Sequence, residues 1–172
     1  AQGVLLDIRH GFYPYVTKTD VTLNSAEFLT ESFAAGASDL SKIGILRAYS
    51  SRHGAGPFVA FDPELNALLS EDHNGTNAWQ GVFRVGFFDL LMARYALKIC
   101  GGVDSVALTC LDRLSGSRSV PVCCAYEYCG RETKLDDFFE LESAGGAPRV
   151  VGIRAQESRA KQAKLAGLLF DC

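Results

Sequence analysis

Apolar and polar positions alternate along this chain in blocks that predict strands and helices in turn. Val4, Leu5 and Leu6 form a continuous apolar run, and the pattern predicts a buried strand over residues 4–8. A turn-rich segment, 11–14, ends it. Asn24 with Glu27 three residues on resembles a capping box, and predicts a helix through Phe28, Leu29 and Phe33 that ends near Gly36. Ile43, Ile45 and Leu46 predict a second buried strand within 43–51. The clearest helix is predicted over 87–99, where Phe87, Leu91, Tyr95 and Ile99 form an i, i+4 stripe widened by Phe88 and Met92, before Gly101 and Gly102 stop it. Residues 105–111 and 120–128 read as two further strands, the second with Val120, Val122, Cys124, Tyr126 and Tyr128 on one face by period two. Asp136 and Asp137 are expected to start a short helix, and 161–169 to form a last one. The order of strands and helices predicts an α/β fold with a mixed sheet flanked by helices.

Composition narrows the function classes. The 172 residues are one domain's worth, and 48% hydrophobic with 22% charged residues is ordinary for a globular chain. A formal charge of −3 gives no electrostatic case for nucleic acid or an anionic membrane as partner, which favours a small molecule or a protein. The most apolar long stretch, 82–100, carries Arg84, Asp89, Arg94 and Lys98, which excludes an ordinary membrane-spanning helix. No secretory signal pattern is visible, so the expected location is cytoplasmic. The six cysteines form no CxxC pair and have no histidine at metal-site spacing, and are expected to be reduced and mostly buried. Asn74-Gly75-Thr76 matches a glycosylation sequon, but without a secretion signal it reads as a turn.

Candidate chemistry is sparse by spacing alone. Residues 52–58, Arg-His-Gly-Ala-Gly-Pro-Phe, form a loop whose glycines permit close backbone approach, either to a ligand or simply in a tight turn. His10, His53 and His73 have no nucleophile at a signature distance. There is no GxSxG, HExxH or GxxxxGK[ST] pattern.

Longer stretches carry more. Residues 1–17, AQGVLLDIRHGFYPYVT, resemble the GAQG-x-LLD-I-x-x-G-x-YPYVT signature of the adenylosuccinate synthetase family at nearly every fixed position. Residues 44–58, GILRAYSSRHGAGPF, resemble its GILKAYSTRVGAGPF stretch. GFFDLLMARYAL resembles GW-x-D followed by a helix, LTCLDRLSG resembles LTKLDVLDG, and VPVCCAYEY and GRE follow in the family's order. The likeness runs over residues 1–132 and fades over 133–172, which reads as a divergent tail of the same single domain. It implies part of a P-loop-type ligase domain, from an enzyme that uses GTP and Mg2+ to join inosine monophosphate (IMP) to L-aspartate. In the family the GAQG stretch lies past mid-chain, behind a phosphate loop, a catalytic aspartate and a catalytic histidine. A chain opening inside that signature is expected of a cleaved precursor, an excised domain or a homologue without the front half.

The resemblance also implies site residues. Gln2, Thr17 and His53 align with the IMP-binding positions, His53 replacing a valine whose backbone faces the substrates. A carboxamide such as Gln2 both donates and accepts, as a nucleotide requires, whereas the Thr17 hydroxyl could equally satisfy its own backbone. Thr76 and Arg84 fall in the aspartate-binding loop, where Val82 and Phe83 occupy arginine-like positions. Asp112 aligns with the guanine-reading aspartate, since a carboxylate accepts from guanine N1–H and the 2-amino group together; its alternative is an ordinary turn residue. The family's lysine two residues before it is Cys110 here, which removes an alkyl stem and a positive charge and argues against tight guanine-nucleotide binding. No residue aligned with the catalytic or Mg2+-binding positions is present.

Two readings follow: a portion of a ligase completed by an N-terminal-half polypeptide and inactive alone, or a degenerate homologue kept as a nucleotide-binding or interaction module. Both expect an apolar face open to a partner, either that half or a second copy. The expected faces are residues 4–8 and the surface of Phe87, Phe88 and Leu91.

Overall fold

The computed structural model describes residues 3–33, 40–69, 71, 73–76, 78–117, 119–128, 131–133 and 147–154, with backbone pairing alone beyond Tyr126. Gln2 and the helices expected near 136 and over 161–169 lie outside the described residues.

The chain's first turn departs from expectation. Val4–Leu6 is a 3-10 turn rather than a strand, closed by Leu6 N–H to Gly3 O at 2.9 Å and Asp7 N–H to Val4 O at 3.2 Å. The cause is Asp7, which is fully buried and whose carboxylate accepts from the amides of Arg9 (2.7 Å), His10 (3.2 Å) and Val21 (2.9 Å). Burial opposes its ionisation, but those three donors together with His10 outweigh it and hold its carboxyl below the usual range. Gathering amides from the next turn and from Val21 curls the backbone after Asp7, and Val4 is buried by packing rather than by a sheet ladder.

Helix α1, Asn24–Phe33, forms where expected, although Glu27 ion-pairs with Lys42. None of its residues is buried. Strand β1, Ile43–Arg47, pairs in parallel with β5, Ser105–Thr109, in register Ile43 to Ser105. The pair has one packed face, where Leu46 and Val106 join buried Leu108 in the main core. On its other face Ile43 is 56% and Ile45 68% exposed, which corrects the expectation of a buried strand. Strand β2, Ser50–His53, begins three residues later and pairs antiparallel with β3, Phe83–Gly86. Between them α2, Pro63–Leu68, is capped by Asp62 and fastened to β3 by Asn66, whose side-chain carbonyl accepts from Val85 N–H at 2.8 Å.

Strand β4, Phe88–Asp89, leads directly into α3, Leu90–Ile99. The helix therefore starts three residues later than the apolar stripe suggests. Asp89 caps it through Met92 N–H at 3.0 Å, leaving the residues before it free to pair in parallel with Val122 and Cys123. Two faces of α3 are apolar: Leu90 and Ala93 enter the main core, and Leu91 a second core with Phe12, Cys123 and Tyr126. Phe88 and Leu91 are thus buried within this chain, and do not form the open patch expected of them. Strand β6, Ser119–Tyr128, bonds β4 and β7 (Arg131–Thr133) along one edge and β8 (Ala147–Arg154) along the other. A register shift between Cys123 and Ala125 breaks its period-two face. Val120 and Val122 therefore face the main core, while Tyr126 reaches the second core beside Cys123.

Candidate functional site

The loop after β2 is built by two arginines. Register pairs Arg52 of β2 with Arg84 of β3, so both side chains leave the ribbon at one level. Arg52 is 4% exposed; its Nε donates to Ala55 O at 3.0 Å and its Nη2 to Tyr15 O at 3.2 Å. Arg84 Nη2 donates to Gly54 O and Gly56 O, both at 2.8 Å, and its guanidinium lies 5.6 Å from the Phe58 ring centroid. The loop can close this tightly because Gly54 and Gly56 have φ of +90° and +108°. A β-carbon on Gly56 would stand 2.3 Å from Arg52 Nη2 and 2.9 Å from Tyr15 Cβ. Guanidinium groups suit this work because a planar fork satisfies several diverging carbonyls at once.

This clamp gathers part of the expected site. His53 closes β2 with its ring edge-on to Phe83 at 5.6 Å, and its buried Nε2 has no hydrogen-bond partner among the described residues. Thr17 lies two residues past Tyr15, its hydroxyl 3.0 Å from Leu6 O and 2.8 Å from Thr19 Oγ1, so the hydroxyl does satisfy the backbone. Arg84 stands at the centre, holding loop carbonyls. Thr76 is exposed on the segment after α2.

Asp112 belongs to a different feature. Strands β1 and β5 run parallel, and beyond their carboxyl ends the chain turns away, joined by Ala48 N–H to Thr109 O at 2.9 Å. In open α/β sheets the crevice outside these ends is where ligands bind. Cys110 follows β5 with φ +59°, and Asp112 opens the next 3-10 turn with its side chain exposed. At the end of β1, Arg47 pairs with Glu71 and donates to Tyr49 Oη at 2.8 Å, while Tyr49 donates to Glu71 at 3.0 Å and Asn74 also binds Glu71. Burial raises the Tyr49 phenol to about 12, and its hydrogen bond to Glu71 adds to the shift. Burial alone would raise Glu71, but the bonds from Asn74 and Tyr49 and the Arg47 charge hold its carboxyl below the usual range.

A buried acid lies at the start of α3. Asp89 is 7% exposed, caps α3 and accepts from Tyr126 Oη at 2.5 Å. Desolvation pushes its carboxyl up to about 6, against the opposing effect of these hydrogen bonds. Sequence reasoning did not single out Arg52, Glu71 or the Asp89–Tyr126 pair. For Arg52 a signal exists: a basic residue two before a Gly-x-Gly loop, opposite a second arginine. Cys100, Cys110, Cys123 and Cys124 are free thiols, Cys123 buried and the others half-buried. Among the described residues no three His, Cys, Asp or Glu side chains converge as a metal site. Among the same residues no helix is long and apolar enough to cross a membrane.

A parallel pair, an antiparallel ribbon and a mixed sheet, with helices packed against them and a glycine loop held by arginines, define a mixed α/β protein. The family profile described as adenylosuccinate synthetase matches residues 1–146, and the chain belongs to that family. The adenylosuccinate synthetase of Parafrankia sp. is 39% identical over 139 residues, 77% of this chain and 31% of the relative. That of Mycobacterium tuberculosis is 41% identical over 138 residues, 78% of this chain and 31% of the relative. The chain thus spans about 30% of the length of the curated relatives it matches. Its fold is also similar to the structure of fully ligated adenylosuccinate synthetase from Plasmodium falciparum, with TM-score 0.74 at 23% identity, covering 98% of this chain and 44% of that one.

Proposed function

We propose that this chain is a portion of an adenylosuccinate synthetase-like ligase, which uses GTP to join IMP to L-aspartate in purine nucleotide biosynthesis. Its part is to wall the nucleotide and amino-acid sites, with phosphoryl transfer and the Mg2+ ligands supplied from elsewhere. Gln2, Thr17 and the His53 loop would meet IMP, Thr76 and Arg84 the aspartate carboxylates, and Asp112 the guanine edge. The observation that carries this reading is Asp112 itself. Its exposed carboxylate follows the carboxyl end of β5 by three residues, within a family match that spans residues 1–146.

The chemistry there is directional. A carboxylate offers two acceptors, matched to the two donors of guanine N1–H and N2–H. An amide offers one acceptor and one donor, matched instead to xanthine N1–H and C2=O. Calorimetric titration with GDP and XDP therefore tests the reading: the chain should prefer GDP, and Asp112→Asn should reverse the order. Equal binding of both by the unaltered chain, or none at millimolar concentration, would sink the guanine assignment.

A second reading has its own observation. Arg84 Nη2 already serves Gly54 O and Gly56 O, which commits it to the loop rather than to a substrate carboxylate. That arrangement favours a degenerate, non-catalytic homologue that keeps the loop and binds a nucleotide or a protein. Arg84→Lys separates the two. A lysine preserves positive charge for a substrate but reaches only one carbonyl, so loss of stability with unchanged aspartate binding supports the second reading.

A further inference from the structure

Three consecutive carbonyls in the loop after β2 are drawn inward. Gly54 O and Gly56 O accept from Arg84 Nη2, and Ala55 O between them accepts from Arg52 Nε. The register sets both arginines on one face of the β2–β3 ribbon, so the three carbonyls turn toward that face. In a trans peptide the N–H points opposite to the C=O. Among the described residues the cis bond is Tyr13-Pro14, so the peptides of this loop are trans. Drawing in Gly54 O and Ala55 O therefore turns the N–H of Ala55 and the N–H of Gly56 away from the guanidinium groups. Pro57 has no N–H and ends the series.

These two N–H groups are bonded to no backbone carbonyl among the described residues, whereas Gly54 N–H is held by Val82 O at 2.9 Å. Ala55 is exposed and Gly56 half-buried, which puts the pair at the surface. They are also stronger donors than ordinary amides. A carbonyl that accepts from a guanidinium is polarised, and the polarisation passes through the peptide to its own N–H. Successive backbone N–H groups of a turn can share one anionic oxygen. A tight turn alone needs the positive φ of Gly54 and Gly56, but not a guanidinium on each of its carbonyls.

We propose that the Ala55 and Gly56 amides form an oxyanion-binding site, set outward by Arg52 and Arg84 as positioning residues. Its ligand is a phosphate or carboxylate group. The site goes beyond the proposed ligase role, and only the identity of that group as a substrate's rests on the ligase reading.

Titration of the chain with sodium phosphate and, separately, with sodium succinate, followed by amide NMR, tests the site. The Ala55 and Gly56 amide protons should move downfield together and saturate with one midpoint, while sodium chloride at equal ionic strength should leave them in place. A tighter midpoint for phosphate assigns the site to a nucleotide, and a tighter one for succinate assigns it to the amino acid. Ala55→Asp, at an exposed position, should weaken the tighter anion about tenfold, the loss of one charge-assisted hydrogen bond, and Ala55→Asn should not. Arg52→Lys should reduce the Gly56 response more than that of Ala55, because Arg52 holds the carbonyl of the peptide that carries Gly56 N–H. A loop that merely loosened would lose both responses equally, and that result overturns the positioning role. Shifts that do not saturate, that chloride reproduces, or that Ala55→Asp leaves unchanged overturn the site. IMP binding near Thr17 and His53, with the Ala55 and Gly56 amides unmoved by either anion, also overturns it and leaves the ligase reading standing. Anion binding at these amides in a chain that ignores IMP and GDP does the reverse.

Discussion

Replacing Asp89 by asparagine should stabilise this protein at neutral pH and do little at pH 4. Asp89 sits at the N-terminus of α3, where a carboxylate is favoured by the helix dipole and by Met92 N–H, and it accepts from Tyr126 Oη. Burial nevertheless dominates and raises its pKa from 3.8 to about 6. Between those values the folded state holds a proton that the unfolded state has lost, so stability falls as pH rises through the window. The difference of about two pKa units corresponds to about 3 kcal/mol, fully expressed above pH 7 and absent below pH 4. Asparagine is uncharged and nearly isosteric: its Oδ1 accepts from Met92 N–H, and its Nδ2 donates to a Tyr126 hydroxyl turned to accept. Urea unfolding of both proteins from pH 4 to pH 8 gives the difference in stability, which cancels the other carboxylates. That difference should grow in favour of Asp89→Asn by about 3 kcal/mol from pH 4 to pH 7, with unchanged m-values. Tyr126→Phe removes a donor to the ionised form and should move the midpoint to higher pH. A flat difference, or one that favours aspartate as pH rises, would refute the reasoning that burial outweighs the cap.

Arg52→Ala strips the donors from Ala55 O and Tyr15 O inside the clamp, and should cost about 3 kcal/mol in urea unfolding. Gly56→Ala should cost at least about 2 kcal/mol, because its β-carbon would meet both Arg52 Nη2 and Tyr15 and its φ of +108° disfavours any side chain. Titration with IMP followed by protein-observed NMR should give weak binding, with shifts confined to residues 1–17 and the neighbourhood of His53. Shifts scattered over the surface would favour an interaction module instead.

Much of the element order was legible because it depends on local chemistry. The Asn24/Glu27 capping pattern reads as a helix start, and residues 105–111 and 120–128 read as strands, close to the observed Asn24–Phe33, Ser105–Thr109 and Ser119–Tyr128. The family was legible too, since the AQG and GAGPF stretches are long and contiguous. What escaped the sequence was set by groups far apart along the chain. Residues 4–6 are apolar enough for a strand, but buried Asp7 reaches Val21 and curls them. Ile43 and Ile45 have the pattern of a buried strand, and only the packing reveals that one side of β1 is bare. The period-two face of β6 was read correctly up to Cys123, where a register shift no composition announces turns Tyr126 to another core. Sequence marked Arg84 only as a candidate for carboxylates; that it stands opposite Arg52 and also holds the loop's carbonyls depends on the β2–β3 register. Hydrophobic period and turn chemistry are written residue by residue. Which charge is desolvated, which carbonyl an arginine meets and which face finds cover are settled only when distant segments come together.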